Sequence, residues 1–369
     1  MRISQLECEN FRNLENNIFI PDKQVNVIYG KNAQGKTNLL EALWLFTGGK
    51  SFRGAKDGEL VKFGSDYAKL HLLFFSQERE QEASISIQAG KKSVVINGIA
   101  QRSASTMIGK FCAVIFSPDH LSFIKEGPSF RRNFIDGALC QVKPVYVKLL
   151  YQYHRILNQR NALLKDIPRH SELLDTLDIW DEKLSYYGEQ VSLERISYIQ
   201  KLKEPVIEIY NGISQRKETI QICYHSGINN MTIEQCSQGS MMSCLKKARN
   251  EDVACGFTTC GPHRDDLIIT IDGVSARSFA SQGQQRSAVL ALKLAEAQLL
   301  KNSLGENPIV FLDDVMSELD FDRQDYLLNH LKDQQVFITC CDPENAGKEV
   351  QGKKFEMKNG ILKKINEKR

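Results

Sequence analysis

The segment Gly30-Lys31-Asn32-Ala33-Gln34-Gly35-Lys36-Thr37 constrains this chain more tightly than anything else in it, because it fits the pattern GxxxxGK(S/T). Each position answers a physical need. Glycines let consecutive backbone N–H groups curl around phosphate oxygens, and the start of a following helix adds the positive end of its dipole. In that pattern Lys36 reaches the β- and γ-phosphates as a catalytic cation, and the Thr37 hydroxyl ligates Mg²⁺. A glycine-rich turn that merely caps a helix has a similar composition, so context decides. Here an apolar strand pattern, Val25–Tyr29, ends at Gly30, and a helical pattern runs from Asn38 to Leu45. Strand, loop and helix in that order predict a nucleotide-binding loop at residues 30–37, with ATP and Mg²⁺ as cofactors.

A second acidic site is expected at Ile309-Val310-Phe311-Leu312-Asp313-Asp314, a buried parallel strand with carboxylates at its C-terminal end. Ligands of open α/β sheets gather at that end. Asp313 would then hold Mg²⁺, and Asp314 would orient or deprotonate the attacking water. The bland alternative is that both acids cap the next helix. Ser281-Gln282-Gly283-Gln284-Gln285-Arg286 opens another helical pattern, Ala288 to Leu300. Taken alone it is a capping box, with Ser281 as N-cap and Gln284 three residues on.

The rest of the chain organises around these motifs. At 369 residues, with 42% hydrophobic and 25% charged side chains, it can bury a large core without staples and divides into about two to three domains. The first hundred residues are strand-rich, and Asn97-Gly98, Asp272-Gly273 and Asn359-Gly360 mark three hairpin turns. From about Pro144 to Lys203 the pattern is helical, broken at Pro168, with an apolar stripe through Leu173, Leu177, Trp180, Leu184, Tyr187 and Val191. The stripe is too short for an extended coiled-coil arm. The final third returns to α/β. These observations predict an α/β phosphate-loop ATPase head formed by residues 1–120 and 255–369, with mixed sheets around the phosphate-loop helix. A mainly helical lobe is inserted at 121–254.

Composition excludes some classes. No run approaches the ~20 apolar residues of a membrane span, and Met1–Glu7 lacks a signal-peptide core, so a cytoplasmic protein with no membrane partner is expected. The ten cysteines include no CxxC pair, which argues against a metal staple. A net charge of +3 neither demands nor excludes nucleic acid.

The order of motifs resembles the layout of ABC-type ATPases: phosphate loop, inserted helices, serine-glycine helix start, acidic strand, then Ser317-Glu318-Leu319-Asp320. More narrowly, the whole chain resembles the RecF family of bacterial recombination and repair proteins, relatives of SMC heads without the long coiled coils. Its carriers include Glu9-Asn10-Phe11-Arg12-Asn13-Leu14, Pro118-Asp119 and Gly127-Pro128-Ser129-Phe130-Arg131-Arg132-Asn133-Phe134-Ile135-Asp136. Gly261-Pro262-His263-Arg264-Asp265-Asp266, the Ser281 segment and Phe311–Asp314 with Ser317–Asp320 complete the set.

The resemblance implies ATP-dependent binding of single-stranded and gapped duplex DNA by an ATP-dependent homodimer. RecR and RecO would be partners in loading RecA onto gaps, with roles in replication restart and the SOS response. It implies that Ser281 and Gly283 of one subunit complete the γ-phosphate site of another, and that Arg12 contacts nucleotide. Three departures from the wider ABC pattern stand out. Asp314 replaces the usual glutamate, no histidine lies near Thr339-Cys340-Cys341, and no lobe-linking glutamine is placed near Ser117-Pro118-Asp119. A shorter carboxylate and a missing histidine align water poorly, which implies slow hydrolysis serving as a switch, and the resemblance implies that DNA stimulates it.

Weaker signals carry two readings each. Arg131-Arg132 is a phosphate contact or a solvated helix face, and His263-Arg264 a DNA contact or a polar turn. Lys50, Arg53 and Lys56 form a basic loop that binds DNA phosphates or simply faces solvent. Competing functions are a transporter ATPase subunit, a solitary phosphate-loop kinase and a nuclease fused to such a head. DNA stimulation and ATP-driven dimerisation separate them.

Overall fold

In the computed structural model, which describes residues 1–121, 123–228, 239–343 and 352–364, the elements follow one another as below. The first stretch holds β1 (Arg2–Glu9), β2 (Asn17–Phe19), β3 (Val25–Tyr29), α1 (Lys36–Trp44), β4 (Tyr67–Ser76), β5 (Arg79–Gln88), β6 (Lys91–Ile96), β7 (Ile99–Gln101) and β8 (Ala113–Phe116). Then come α2 (Pro118–Leu121), α3 (Pro128–Val142), α4 (Pro144–Asp166), α5 (Leu177–Ile213), β9 (Ile220–His225), α6 (Ser240–Cys255), β10 (Asp266–Ile271), β11 (Val274–Ser275) and α7 (Ala276–Phe279). The last are α8 (Gln282–Leu304), β12 (Ile309–Asp313), α9 (Phe321–His330), β13 (Val336–Cys340), β14 (Lys353–Lys358) and β15 (Ile361–Lys364).

The chain clusters into two units. The first comprises Met1–Ser122, Glu208–Lys217 and Gln282–Arg369; the second comprises Phe123–Ile207 and Glu218–Ser281. The first unit contains two sheets. One is antiparallel, in the order β2-β1-β4-β5-β6-β7, and the other runs β15-β14-β3-β13-β12-β8, parallel except for β15. Their burial differs as their pairing requires. β4 buries alternate residues, the mark of a sheet covered on one face, whereas every residue of β12 and β13 is buried. Between the sheets lies α1. Its Leu39, Leu40, Ala42 and Leu43 share one apolar cluster with Leu6, Leu70 and Ile85 of the antiparallel sheet and Ile28, Phe311 and Phe337 of the parallel one. The phosphate-loop helix is therefore the core of its unit.

The end of α5 from Glu208, read from the sequence with the helical lobe, clusters with the first unit. The second unit holds α3, α4, α5 as far as Ile207, α6, α7 and an antiparallel sheet, β11-β10-β9. Residues 255–281, read from the sequence with the head, cluster here. The cause is pairing: every residue of β10 is matched with one of β9, from Asp266 with His225 to Ile271 with Ile220. The helical stripe splits in two. Leu177, Leu184 and Val191 are fully buried, while Leu173, Trp180 and Tyr187 are partly exposed. The expected break at Pro168 falls between α4 and α5, and α5 continues through Pro205. All three turn pairs adopt the left-handed geometry of tight hairpins, with φ of 48° and 75° at Asn97-Gly98, 50° and 78° at Asp272-Gly273, and 50° and 75° at Asn359-Gly360. No described helix is long and apolar enough to cross a membrane. Cys236 lies outside the described residues.

Candidate functional site

β3 delivers the chain to Gly30 in the middle of the parallel sheet, and the loop turns there because only glycine fits. Gly30 has φ of 153°, and a Cβ on it would meet the Met357 carbonyl oxygen at 2.3 Å. Gly35, with φ of 112°, precedes α1 and gives it no side-chain cap, so the first-turn N–H groups are left for a ligand. The loop is buttressed from outside. Asn13 Nδ2 donates to the Ala33 carbonyl at 3.1 Å, and the β14–β15 turn grips Gln34 through the N–H groups of Asn359 (2.6 Å) and Gly360 (2.9 Å). Cys341 Sγ lies 3.1 Å from Asn32 Oδ1. Lys36 folds across the loop, donating from Nζ to the carbonyls of Gly30 (2.6 Å) and Lys31 (3.1 Å).

The acidic strand end meets this loop. Thr37 Oγ1 donates to Asp313 Oδ1 at 2.9 Å, so two residues 276 apart in sequence, both suited to Mg²⁺, are in direct contact. Thr339 Oγ1 donates to the same oxygen at 2.7 Å. Burial pushes the Asp313 carboxyl above its usual range and Asp314 adds to the rise, against the bonds from Thr339 and Thr37. Burial also raises Asp314, and Glu318 adds to it, against the pull of Lys36. Asp314 has φ of 53°, a left-handed conformation rare for a side chain with a Cβ. A cleft of about 380 Å³ opens here, lined by Asn32 through Asn38 with Asn13, Arg53, Asp314 and Thr339. Hard oxygen donors at Thr37 and Asp313 beside a phosphate cradle are a fitting donor set for Mg²⁺.

Other expected residues lie elsewhere. Arg12 is held bidentately by Glu41, a fully buried residue of α1, at 2.9 and 3.0 Å, and donates to the Glu59 carbonyl at 3.0 Å. It is the neighbouring Asn13 that lines the cleft. Gly283, in the first turn of α8, accepts from Arg323 Nη2 at 3.2 Å. Arg286 pairs with Glu318, tying α8 to the Ser317–Asp320 segment, and Ser317 Oγ donates to the Asp314 carbonyl at 3.0 Å. Ser281 is the last residue of the second unit and directly precedes α8.

In that second unit, Arg131 grips Asp266 bidentately at 2.6 and 2.9 Å, and Arg132 donates to the Asp265 carbonyl at 2.7 Å. His263 bridges the Tyr153 hydroxyl (2.6 Å) and the Thr258 carbonyl (3.0 Å). A carbonyl can only accept, so Nε2 carries the proton and Nδ1 accepts from the tyrosine. Arg264 is exposed and lies over the Phe257 ring at 5.2 Å. Among these four, Arg131, Arg132 and His263 are engaged internally.

Sequence reasoning missed Asn13, Asn38, Arg53 and Thr339 as cleft residues. Asn38 Nδ2 donates to Asn13 Oδ1 at 2.7 Å, and Arg53 Nη1 to Asn38 Oδ1 at 3.0 Å, a polar chain from the β1–β2 loop to the basic loop. Three of the four stand one residue beside a motif residue or inside the basic loop already noted. Spacing alone does not aim a side chain.

Comparisons with known proteins bear on the family and the fold. The family model described as RecF/RecN/SMC N terminal domain matches residues 2–363. "DNA replication and repair protein RecF" of Agathobacter rectalis is 42% identical over 341 residues, 92% of each chain. The protein of the same description from Clostridium tetani is 38% identical over 365 residues, 98% of this chain and 99% of the relative. A structure described as the recombination mediator protein RecF-ATPrS in the RecFOR pathway superposes with a TM-score of 0.91 at 37% identity, covering 99% of this chain and 98% of the other. An Smc head domain from Pyrococcus furiosus, 16% identical with a TM-score of 0.57 over 99% of this chain and 96% of that one, shares the fold. The architecture is that of an ABC-type ATPase head.

Proposed function

The chain belongs to the RecF family, and from that premise we propose that it is an ATP-dependent DNA clamp of recombinational repair. Residues 30–37 bind the phosphates of ATP, with Lys36 swinging from its two loop carbonyls to the β- and γ-phosphates. Thr37 and Asp313 hold Mg²⁺, which when bound shields phosphate charge. Asp314 orients the attacking water. A second copy supplies Ser281 and Gly283 at the start of α8, so hydrolysis needs two subunits. Its rate is low because a short carboxylate works without a histidine, and hydrolysis serves as the timer that releases the clamp. RecR, RecO and RecA act with it on gapped DNA in the cytoplasm. The observation that carries this reading is the Thr37–Asp313 bond, which joins the phosphate loop to the acidic strand.

Charge distribution supports a DNA surface on the first unit. Residues 42–56 and 83–118 contain no Asp or Glu, yet carry Lys50, Arg53, Lys56, Lys91, Lys92, Arg102 and Lys110. With those seven charges removed, the net +3 of the chain becomes −4. The two stretches touch. Lys92 pairs at 3.1 Å with Asp57, next to Lys56, and a Cβ on Gly48 would meet Ile108 at 2.9 Å. A phosphodiester backbone suits the six exposed members of this cluster, Lys92 being nearly buried and already paired. Arg53 also lines the nucleotide cleft, so DNA and ATP would meet at one loop.

Light scattering with ATP and Mg²⁺, with and without gapped duplex DNA, tests the reading. The expected result is a shift from one to two subunit masses with ATP, strengthened by DNA. A chain that stays monomeric under every condition would instead be a solitary phosphate-loop enzyme.

A further inference from the structure

The Thr339 side chain is fully buried at the upper end of β13, where the parallel pairing sets it opposite Asp313. A hydroxyl has one proton and two lone pairs. Both functions are used here, and both are used on the acidic strand end. The proton goes to Asp313 Oδ1 at 2.7 Å, and the oxygen accepts from the Asp314 N–H at 3.0 Å. The Thr339 carbonyl takes the same N–H at 3.2 Å. Asp314 needs this support, because its left-handed φ of 53° is held only where the surroundings over-determine it. Asp313 Oδ1 is thus saturated by Thr339 and Thr37, which turns the carboxylate into one orientation.

We propose that Thr339 is a positioning residue of the ATPase site, whose single hydroxyl locks the Asp313 carboxylate and the Asp314 backbone in register with each other. This rests on the ATPase reading above. A metal-holding group and a water-orienting group that sit on adjacent residues of one strand end would otherwise rotate independently. Thr339 couples them through the neighbouring strand.

The test compares Thr339→Val, which keeps the shape and removes the hydroxyl, with Thr339→Ser, which keeps the hydroxyl and removes the methyl. In nucleotide-free protein, amide hydrogen exchange at Asp314 should quicken about tenfold in Thr339→Val and stay near wild type in Thr339→Ser. Single-turnover ATP hydrolysis should fall about tenfold to a hundredfold in Thr339→Val. Half-maximal rate should need more Mg²⁺, while nucleotide affinity without Mg²⁺ stays within about twofold because residues 30–37 are intact. Thr339→Ser should restore exchange and rate together. If Thr339→Val does not fold, Thr339→Ala carries the same comparison. Wild-type exchange, rate and Mg²⁺ dependence in the hydroxyl-less variant would overturn the proposal, and so would equal loss in Thr339→Ser, which would assign the effect to packing. A wild-type protein that neither binds nor hydrolyses ATP would overturn the ATPase reading itself, a different outcome from an active wild type with an indifferent Thr339→Val.

Discussion

Charged side chains do opposite work in the second unit and in the cleft of the first, although the first also holds closed pairs such as Arg12–Glu41 and Lys293–Glu296. In the second unit, charges are buried in mutually paired sets. Arg195 grips Asp136 with two bonds of 2.8 Å and reaches Asp265 at 2.9 Å and the Pro262 carbonyl at 2.7 Å. Arg160 joins Asp181 (2.7 Å), Asp252 (2.6 Å) and Thr258 (2.8 Å) with no exposure at all. In the first unit's cleft, Lys36, Arg53 and Asp314 stand together with no ion pair to one another among the described residues. A dry, mutually paired set of charges is architecture, even where one nitrogen, Arg160 Nη2, is left without a partner; an unpaired set at a cleft is a place for a ligand. The distinction lies in pairing, not in residue type.

The comparison would break first at Arg195. Replacing it with Met leaves Asp136 and Asp265 without their cation, and a loss of about 3–5 kcal/mol in urea unfolding is expected, as for other broken buried pairs. A loss below about 1 kcal/mol would mean that the set is ornamental.

His263 sharpens it through pH. Burial lowers its pKa from the ordinary 6.5 to about 4, helped by Arg264, Arg132 and His154 and opposed by the Thr258 carbonyl. Between those values the unfolded chain binds a proton that the folded chain refuses, so stability falls as pH drops from 6.5 towards 4. The full contribution is on the order of 3 kcal/mol. Urea midpoints across that range should show a slope that His263→Gln reduces but does not abolish, since burial also lowers the pKa of His120, to about 3; an unchanged slope would place the titration elsewhere.

Lys36 gives the smallest change in stability. Lys36→Met should alter unfolding by about 1 kcal/mol or less, since no ion pair is broken, yet weaken ATP binding at least about tenfold in a fluorescent-nucleotide titration. Strong destabilisation would show that the cleft lysine is architectural after all.

Much of this was readable in the chain because it is local. A loop of eight residues, a strand ending in two carboxylates and three Xaa-Gly turns each need only neighbours, and all appear where spacing places them. Long-range partnership was not readable. Nothing around residue 265 announces that Arg195 will hold it, so residues 255–281 were read with the wrong neighbours in space. Arg12 is expected at the nucleotide because of the family resemblance, and nothing local to it shows that Glu41, 29 residues on and among the buried residues of α1, will hold it. Thr339 looked like one more β-branched strand residue, and its hydroxyl gains meaning only from the register between β12 and β13.

The order of strands has a consequence for how the protein is made. β3, which carries the phosphate loop, is flanked on both sides by late arrivals, β13 and β14. Val336 opens β13 roughly 300 residues after Tyr29 closes β3. At a synthesis rate of 5–20 residues per second, that strand waits about 15–60 s on the ribosome with both edges bare. The second unit has all its residues in hand only shortly before then. A growing chain therefore spends most of that wait with the lobe itself unfinished. Over the last ~55 residues of it, about 3–11 s from Ser281 to Val336, the lobe's residues are complete and the nucleotide cradle is not yet formed. Throughout, it is the phosphate-loop strand that needs guarding from its neighbours.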